Sequence, residues 1–111
     1  MGLLPSLRQK KRYVVLEIVS EGKFSAAEVK EEVDRVLLQF WGELGLARSS
    51  PLFLKEKFSP EKQRFLLKIN HQYVDELKAA LTLSKKIKNK PVIIRSLRVS
   101  GTLKKASAVL S

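Results

Sequence analysis

Three observations predict the fold class. Short runs of β-branched and apolar residues recur along the chain, two apolar stripes with helical spacing lie between them, and the segments follow the order strand, helix, strand, strand, helix, strand. That order is the split βαβ unit. The sequence therefore predicts an α+β, ferredoxin-like (RRM-like) βαββαβ sandwich: a four-stranded antiparallel sheet, two helices and a short C-terminal helix. With 111 residues, 44% of them hydrophobic, there is room for one core. We expect a basic flexible leader over residues 1–11 and one domain over residues 12–111.

Residues 13–19 are apolar on both parities, as in a central strand; Val14, Leu16 and Ile18 form an uninterrupted face. Glu17 breaks the other face, which is expected to be only partly covered. Ser25 and Glu28 have the spacing of a capping box, and Phe24 and Val29 that of a hydrophobic staple. Val29, Val33, Val36, Leu37, Phe40 and Leu44 then recur at helical spacing until Gly42 and Gly45 end the pattern. Residues 52–58 read as a strand with Leu52, Leu54 and Phe58 inward and Lys55 and Lys57 outward. Ser59-Pro60-Glu61-Lys62 supplies a turn, and residues 64–70 return with Phe65, Leu67 and Ile69 inward and Arg64, Lys68 and Asn70 outward.

A second helix starts near His71, with Tyr73, Val74, Leu77, Ala80 and Leu81 on its stripe and Asp75 and Glu76 where the helix dipole favours them. Residues 85–91 read as a basic loop and residues 92–99 as the last strand. There Ile93, Leu97 and Val99 agree in parity, Arg95 intrudes and Ile94 stands opposite, which suggests a bulge. Residues 103–110 form a short helix whose apolar Leu103, Ala106, Val109 and Leu110 either cap the open sheet face or dock on a partner. In this topology the first and third strands are central.

The formal charge of +11 is segregated. Residues 1–12 hold Arg8, Lys10, Lys11 and Arg12, and residues 84–111 hold eight Lys and Arg without one acid, whereas residues 21–43 are net acidic. A protein made basic for solubility alone needs no such segregation, so a polyanion is the expected partner. Candidate phosphate contacts are Arg8, Lys10, Lys11 and Arg12 in residues 1–12, Lys55, Lys57 and Lys68 on the hairpin, and Lys85, Lys86, Lys88 and Lys90 in the loop. Arg98 joins them from the last strand. Ser100-Gly101-Thr102-Leu103-Lys104-Lys105 adds a Gly-Thr turn ahead of a helix start, a plausible phosphate seat and equally a plain helix cap. Only Tyr13 and Phe53 offer rings on the exposed sheet face, so shape and phosphate recognition is expected rather than base stacking.

Self-contained catalysis has few residues to work with: one His, no Cys and no Gly-rich phosphate loop. His71 stands alone at a strand-to-helix junction. Glu28, Glu31, Glu32 and Asp34 crowd one helix but alternate with Lys30 and Arg35, as on a solvated face. No catalytic residue, metal site or cofactor of the chain's own is expected. No run approaches membrane-spanning length, and a cytoplasmic location is expected.

The chain resembles archaeal ribonuclease P protein component 2, a member of the Pop-five family of ribonuclease P protein subunits. The resemblance runs from Arg12 to Ala106. It is carried by Arg12-Tyr13-Val14-Val15-Leu16-Glu17-Ile18-Val19-Ser20, by Arg64-Phe65-Leu66-Leu67-Lys68 and, most specifically, by Leu97-Arg98-Val99-Ser100-Gly101-Thr102-Leu103-Lys104-Lys105-Ala106. It implies a subunit of the ribonucleoprotein endoribonuclease that removes 5′ leaders from precursor tRNA. In such a particle the ribonuclease P RNA holds the magnesium and does the chemistry, and the protein stabilises it. It also implies a TIM-barrel-like ribonuclease P protein as partner, in a two-plus-two heterotetramer, and the apolar ending at Ser111 suggests a longer native tail. Two rival readings remain: a protein–protein adaptor whose basic surface never touches RNA, and a magnesium-dependent nuclease using Glu28 and Glu31.

Overall fold

In the computed structural model, residues 10–110 are described. In chain order they form β1 (Lys11–Val19), α1 (Ala26–Ser49), β2 (Leu52–Phe53), β3 (Arg64–Asn70), α2 (Val74–Thr82), β4 (Lys86–Ile87), β5 (Lys90–Pro91), β6 (Ile93–Ser100) and α3 (Leu103–Ser107). β2, β3, β1 and β6 make one antiparallel sheet in that spatial order, so the first and third long strands are central as expected. The split βαβ order stands. β4 and β5 form a separate two-stranded ribbon.

β1 is buried on both faces because helices cover both. Val14, Leu16 and Ile18 point with Phe65, Leu67 and Ile69 into the main core beneath α1 and α2, where Val29, Val33, Leu37, Leu77 and Leu81 meet them. Val15 and Leu66 point the other way, under Ala106 and Leu110 of the C-terminal segment. The outer face is thus closed by α3, more fully than Glu17 led us to expect: Glu17 itself is only 8% exposed. Each such aliphatic burial contributes roughly 1.5–3 kcal/mol, enough to fix the register along β1.

The start of α1 follows the sequence reading. The Ser25 hydroxyl accepts from the Glu28 amide at 3.2 Å, and the Glu28 carboxylate accepts from the Ser25 amide at 2.9 Å. Its end does not. Gly42 adopts φ 71°, ψ 179°, and the chain resumes helical turns to Ser49 before closing at left-handed Ser50. Nothing would touch a Cβ on Gly42, so glycine is required there by backbone conformation alone. The break lays Trp41 on the backbone of Gly45, where a Cβ would lie 2.5 Å from the Trp41 Cβ. Trp41 meets Tyr73 edge-on at 5.9 Å and donates to Glu76 Oε1 at 3.1 Å. Phe40 and Leu44, which the periodicity places on the buried stripe, are exposed, because that stripe passes through Trp41 and the break changes its phase.

β2 also departs from expectation. Register sets Leu52 against Lys68 on the outer row and Phe53 against Leu67 on the inner row. Phe53 is therefore buried, stacked on Phe65 at 5.7 Å, and Leu52 is exposed. After two residues the chain turns into a 3-10 turn over Lys55–Lys57, so the predicted strand over 52–58 is mostly not a strand. The parity is reversed because the larger ring takes the core position. Leu54 packs on the outer cluster instead.

The basic segment 85–91 is a tight ribbon rather than a loop. Lys88 and Asn89 both take positive φ, the geometry of a primed two-residue turn, and Ile87 inserts into the main core. In β6 the bulge is present: Val15 opposes Arg98 and Leu16 opposes Ser96, which leaves Leu97 as the extra residue. Before it the inward residue is Ile94, 3% exposed, and Ile93 faces out, contrary to the parity read from sequence.

Candidate nucleic-acid interface

The register of the three long strands builds the outer face row by row. Lys68, Tyr13 and Ser100 form one row, Leu66, Val15 and Arg98 the next, and Arg64, Glu17 and Arg95 the third. Arg95 and Arg98 are three residues apart, a spacing that in a regular strand sends side chains to opposite faces. The extra residue at Leu97 restores both to the outer face. α3 crosses the middle row and carries Lys104 and Lys105, both exposed, so the outer face presents Arg64, Lys68, Arg95, Arg98, Lys104 and Lys105 together with Glu17.

That carboxylate is fully engaged. Glu17 Oε2 accepts from Arg64 Nε at 2.9 Å, and Oε1 accepts from Arg95 Nε at 2.8 Å and lies 2.6 Å from Arg95 Nη2. The hydrogen bond from Arg64 holds the carboxyl below its usual range; burial opposes this and Arg95 reinforces it. Two cations on one anion leave the row net positive. Arg64 Nη1 also donates to Val109 O at 2.9 Å, joining the sheet to the end of the C-terminal segment. Lys68 Nζ sits 5.8 Å from the Tyr13 ring centroid.

The Ser100–Lys105 motif is a capped helix start. Ser100 Oγ accepts from the Thr102 amide at 3.2 Å, and Thr102 Oγ1 accepts from the Lys105 amide at 3.3 Å. Both hydroxyls thus serve the backbone rather than an open anion seat, and the exposed cations Lys104 and Lys105 remain to meet a ligand. Gly101 lies beside Arg12, whose Nη1 donates to Lys11 O at 3.0 Å. Lys11 bonds the Asn70 side chain, and Lys10 O accepts from the His71 amide at 2.8 Å. Arg8 lies outside the described residues.

The other predicted contacts fall elsewhere. Lys85, Lys86, Lys88 and Lys90 are exposed on the β4–β5 ribbon, which belongs to the helical layer through Ile87. Lys88 pairs with Glu31 of α1 at 3.1 Å. Glu28 is held below its usual range first by the Ser25 amide, with Lys88 and Lys90 adding smaller effects. Lys55 and Lys57 sit on the turn at the β2 edge. Sequence reasoning missed Arg64 and Arg95 as site residues, although the parity violation at Arg95 was the visible signal.

The acidic cluster on α1 does not converge on a metal. Glu28 closes the capping box, Glu31 meets Lys88, Glu32 meets Arg35 at 2.7 Å and Ser84 at 3.1 Å, and Asp34 meets Lys30 at 2.6 Å. Among the described residues no group of three His, Cys, Asp or Glu could hold a metal ion, and no helix is long and apolar enough to cross a membrane.

Fold and site together define a basic ferredoxin-like module with a cationic outer face. More narrowly, residues 12–110 match the model of the Rpp14/Pop5 family, and the chain belongs to that family. It is 39% identical over 103 residues to ribonuclease P protein component 2 of Pyrococcus abyssi, covering 93% of this chain and 86% of that protein. The Pyrococcus horikoshii component 2 is 40% identical, covering 93% and 84%, and that of Methanococcus maripaludis 38%, covering 92% and 75%. A chain in the cryo-EM structure of yeast ribonuclease MRP shares the fold, with a TM-score of 0.65 at 15% identity over 86% of this chain and 77% of that one.

Proposed function

We propose that the chain is a non-catalytic protein subunit of ribonuclease P that binds and stabilises the catalytic RNA for 5′-leader removal from precursor tRNA. The observation that carries this is the outer face, where Arg64 and Arg95 engage the Glu17 carboxylate and Lys68, Arg98, Lys104 and Lys105 add four further cations. Charge so arranged suits phosphates displayed on a folded RNA, and the closure of the sheet by α3 leaves no open platform for stacked bases. Magnesium belongs to the RNA in this reading. Exposed Phe40, Leu44 and Leu83 on the helical side suit the TIM-barrel-like ribonuclease P protein, in a two-plus-two assembly.

Adding the chain with that partner to the catalytic RNA is expected to lower the magnesium needed for cleavage. An unchanged magnesium requirement overturns the assignment. Titration against RNA at physiological salt separates it from the adaptor reading, which predicts no binding.

A further inference from the structure

Resting on that reading, we propose that Glu17 is a positioning residue: acting through Arg64 it holds α3, and with it Lys104 and Lys105, on the outer face, so that an acidic side chain amid the basic surface strengthens RNA binding.

α3 spans five residues, far short of the roughly 12–15 at which an isolated helix becomes marginal in water, so its position depends on what it rests against. The apolar contact beneath it is small, with Val15, Leu66, Ala106 and Leu110 as its buried members. Two polar ties supplement it. At the N-terminal end, Ser100 and Thr102 cap the first turn. At the other end, the Arg64 guanidinium accepts no freedom of its own: Nε is fixed on Glu17, and the same rigid plane directs Nη1 onto Val109 O.

Glu17 also separates two cations. Arg64 and Arg95 approach it from the two neighbouring strands, one on each carboxylate oxygen. With a neutral side chain at position 17 the two guanidinium groups face each other across β1 without a counter-charge, and Arg64 turns toward solvent. The tie to Val109 is then lost, and the lysines of α3 are no longer held at one place relative to Arg98 and Lys68.

The test is Glu17→Gln, which keeps the shape and removes one negative charge. Attraction to phosphate alone makes this variant bind an archaeal ribonuclease P RNA transcript more tightly. The positioning role makes it bind roughly tenfold more weakly, the size of one charge-assisted hydrogen bond. Amide exchange in residues 103–110 is expected to accelerate while β3 and α1 stay protected. Arg64→Lys, which conserves charge but not the planar fork, is expected to give the same pair of effects and serves if Glu17→Gln fails to fold.

Unchanged or tighter binding by both variants overturns the proposal. So does weaker binding with α3 protection intact, which means that Glu17 acts other than through α3, or with protection lost throughout the fold, which makes Glu17 a stability residue only. If the unaltered chain fails to bind the transcript, the ribonuclease P reading itself falls, and the exchange pattern still reports whether Glu17 holds α3.

Discussion

The outer sheet face and the β4–β5 ribbon are both rich in cations, and they differ in what stands opposite the charge. On the ribbon, Lys88 meets Glu31, and Lys88 and Lys90 lie close enough to Glu28 to act on its titration. On the outer face one carboxylate serves two arginines, and Lys104, Lys105 and Arg98 are left toward solvent. The ribbon's four lysines thus have two glutamates of α1 beside them, whereas the six cations of the outer face share one carboxylate. The ribbon's cations fasten it in part to α1, whereas those of the outer face remain available to an external polyanion.

The largest expected effect tests whether the outer face depends on its cover. Leu66→Ala removes the centre of the outer cluster and is expected to cost about 2–5 kcal/mol in denaturant unfolding. A cost below about 1 kcal/mol means that α3 packs loosely and that the outer face is not preorganised. Next, Lys104→Glu with Lys105→Glu is expected to weaken RNA binding by at least about tenfold and to flatten its salt dependence, because fewer counterions are released. Unchanged affinity and slope remove α3 from the interface.

Acidification gives a smaller effect with a defined sign. Glu17 titrates below its usual range, so its contribution to stability is complete above that range and is lost as pH falls through the lowered value. The melting temperatures of the unaltered chain and of Glu17→Gln are expected to converge on acidification; a constant gap contradicts the ion-pair account. The smallest effect is expected from the ribbon, where Lys88→Ala removes an exposed pair worth at most about 1 kcal/mol and changes RNA affinity by less than about threefold. A loss equal to that of the Lys104 and Lys105 variant erases the distinction between the two regions.

What the sequence revealed followed from the strength of its local signals. β1, β3 and the start of α1 were legible because apolar alternation, helical spacing and a capping box each agree with the tertiary outcome. β2 was misread because Leu52 and Phe53 are both apolar, and only pairing with β3 decides which one enters the core. The end of α1 was misread because a glycine breaks a helix without ending it when the far side is fastened, here by Leu46 against the main core and by the Asn70 side chain donating to Arg48 O. Among candidate site residues, charge alone could not separate lysines with acidic neighbours from lysines without them, since those neighbours come from another element. Arg64 and Arg95 were hidden for the same reason: their common partner, Glu17, lies 47 and 78 residues away.

The added residue at Leu97 shows that the sidedness of a sheet can be set by chain length as well as by residue type. In an unbulged strand of the same length Arg95 or Arg98 would turn toward the apolar interior; with Leu97 deleted the two arginines would stand two positions apart and share the outer face without a bulge. Among homologous chains, a residue gained or lost at the bulge would thus leave the outer charges where they are, which makes the bulge a place where this strand can change length without changing its electrostatic face.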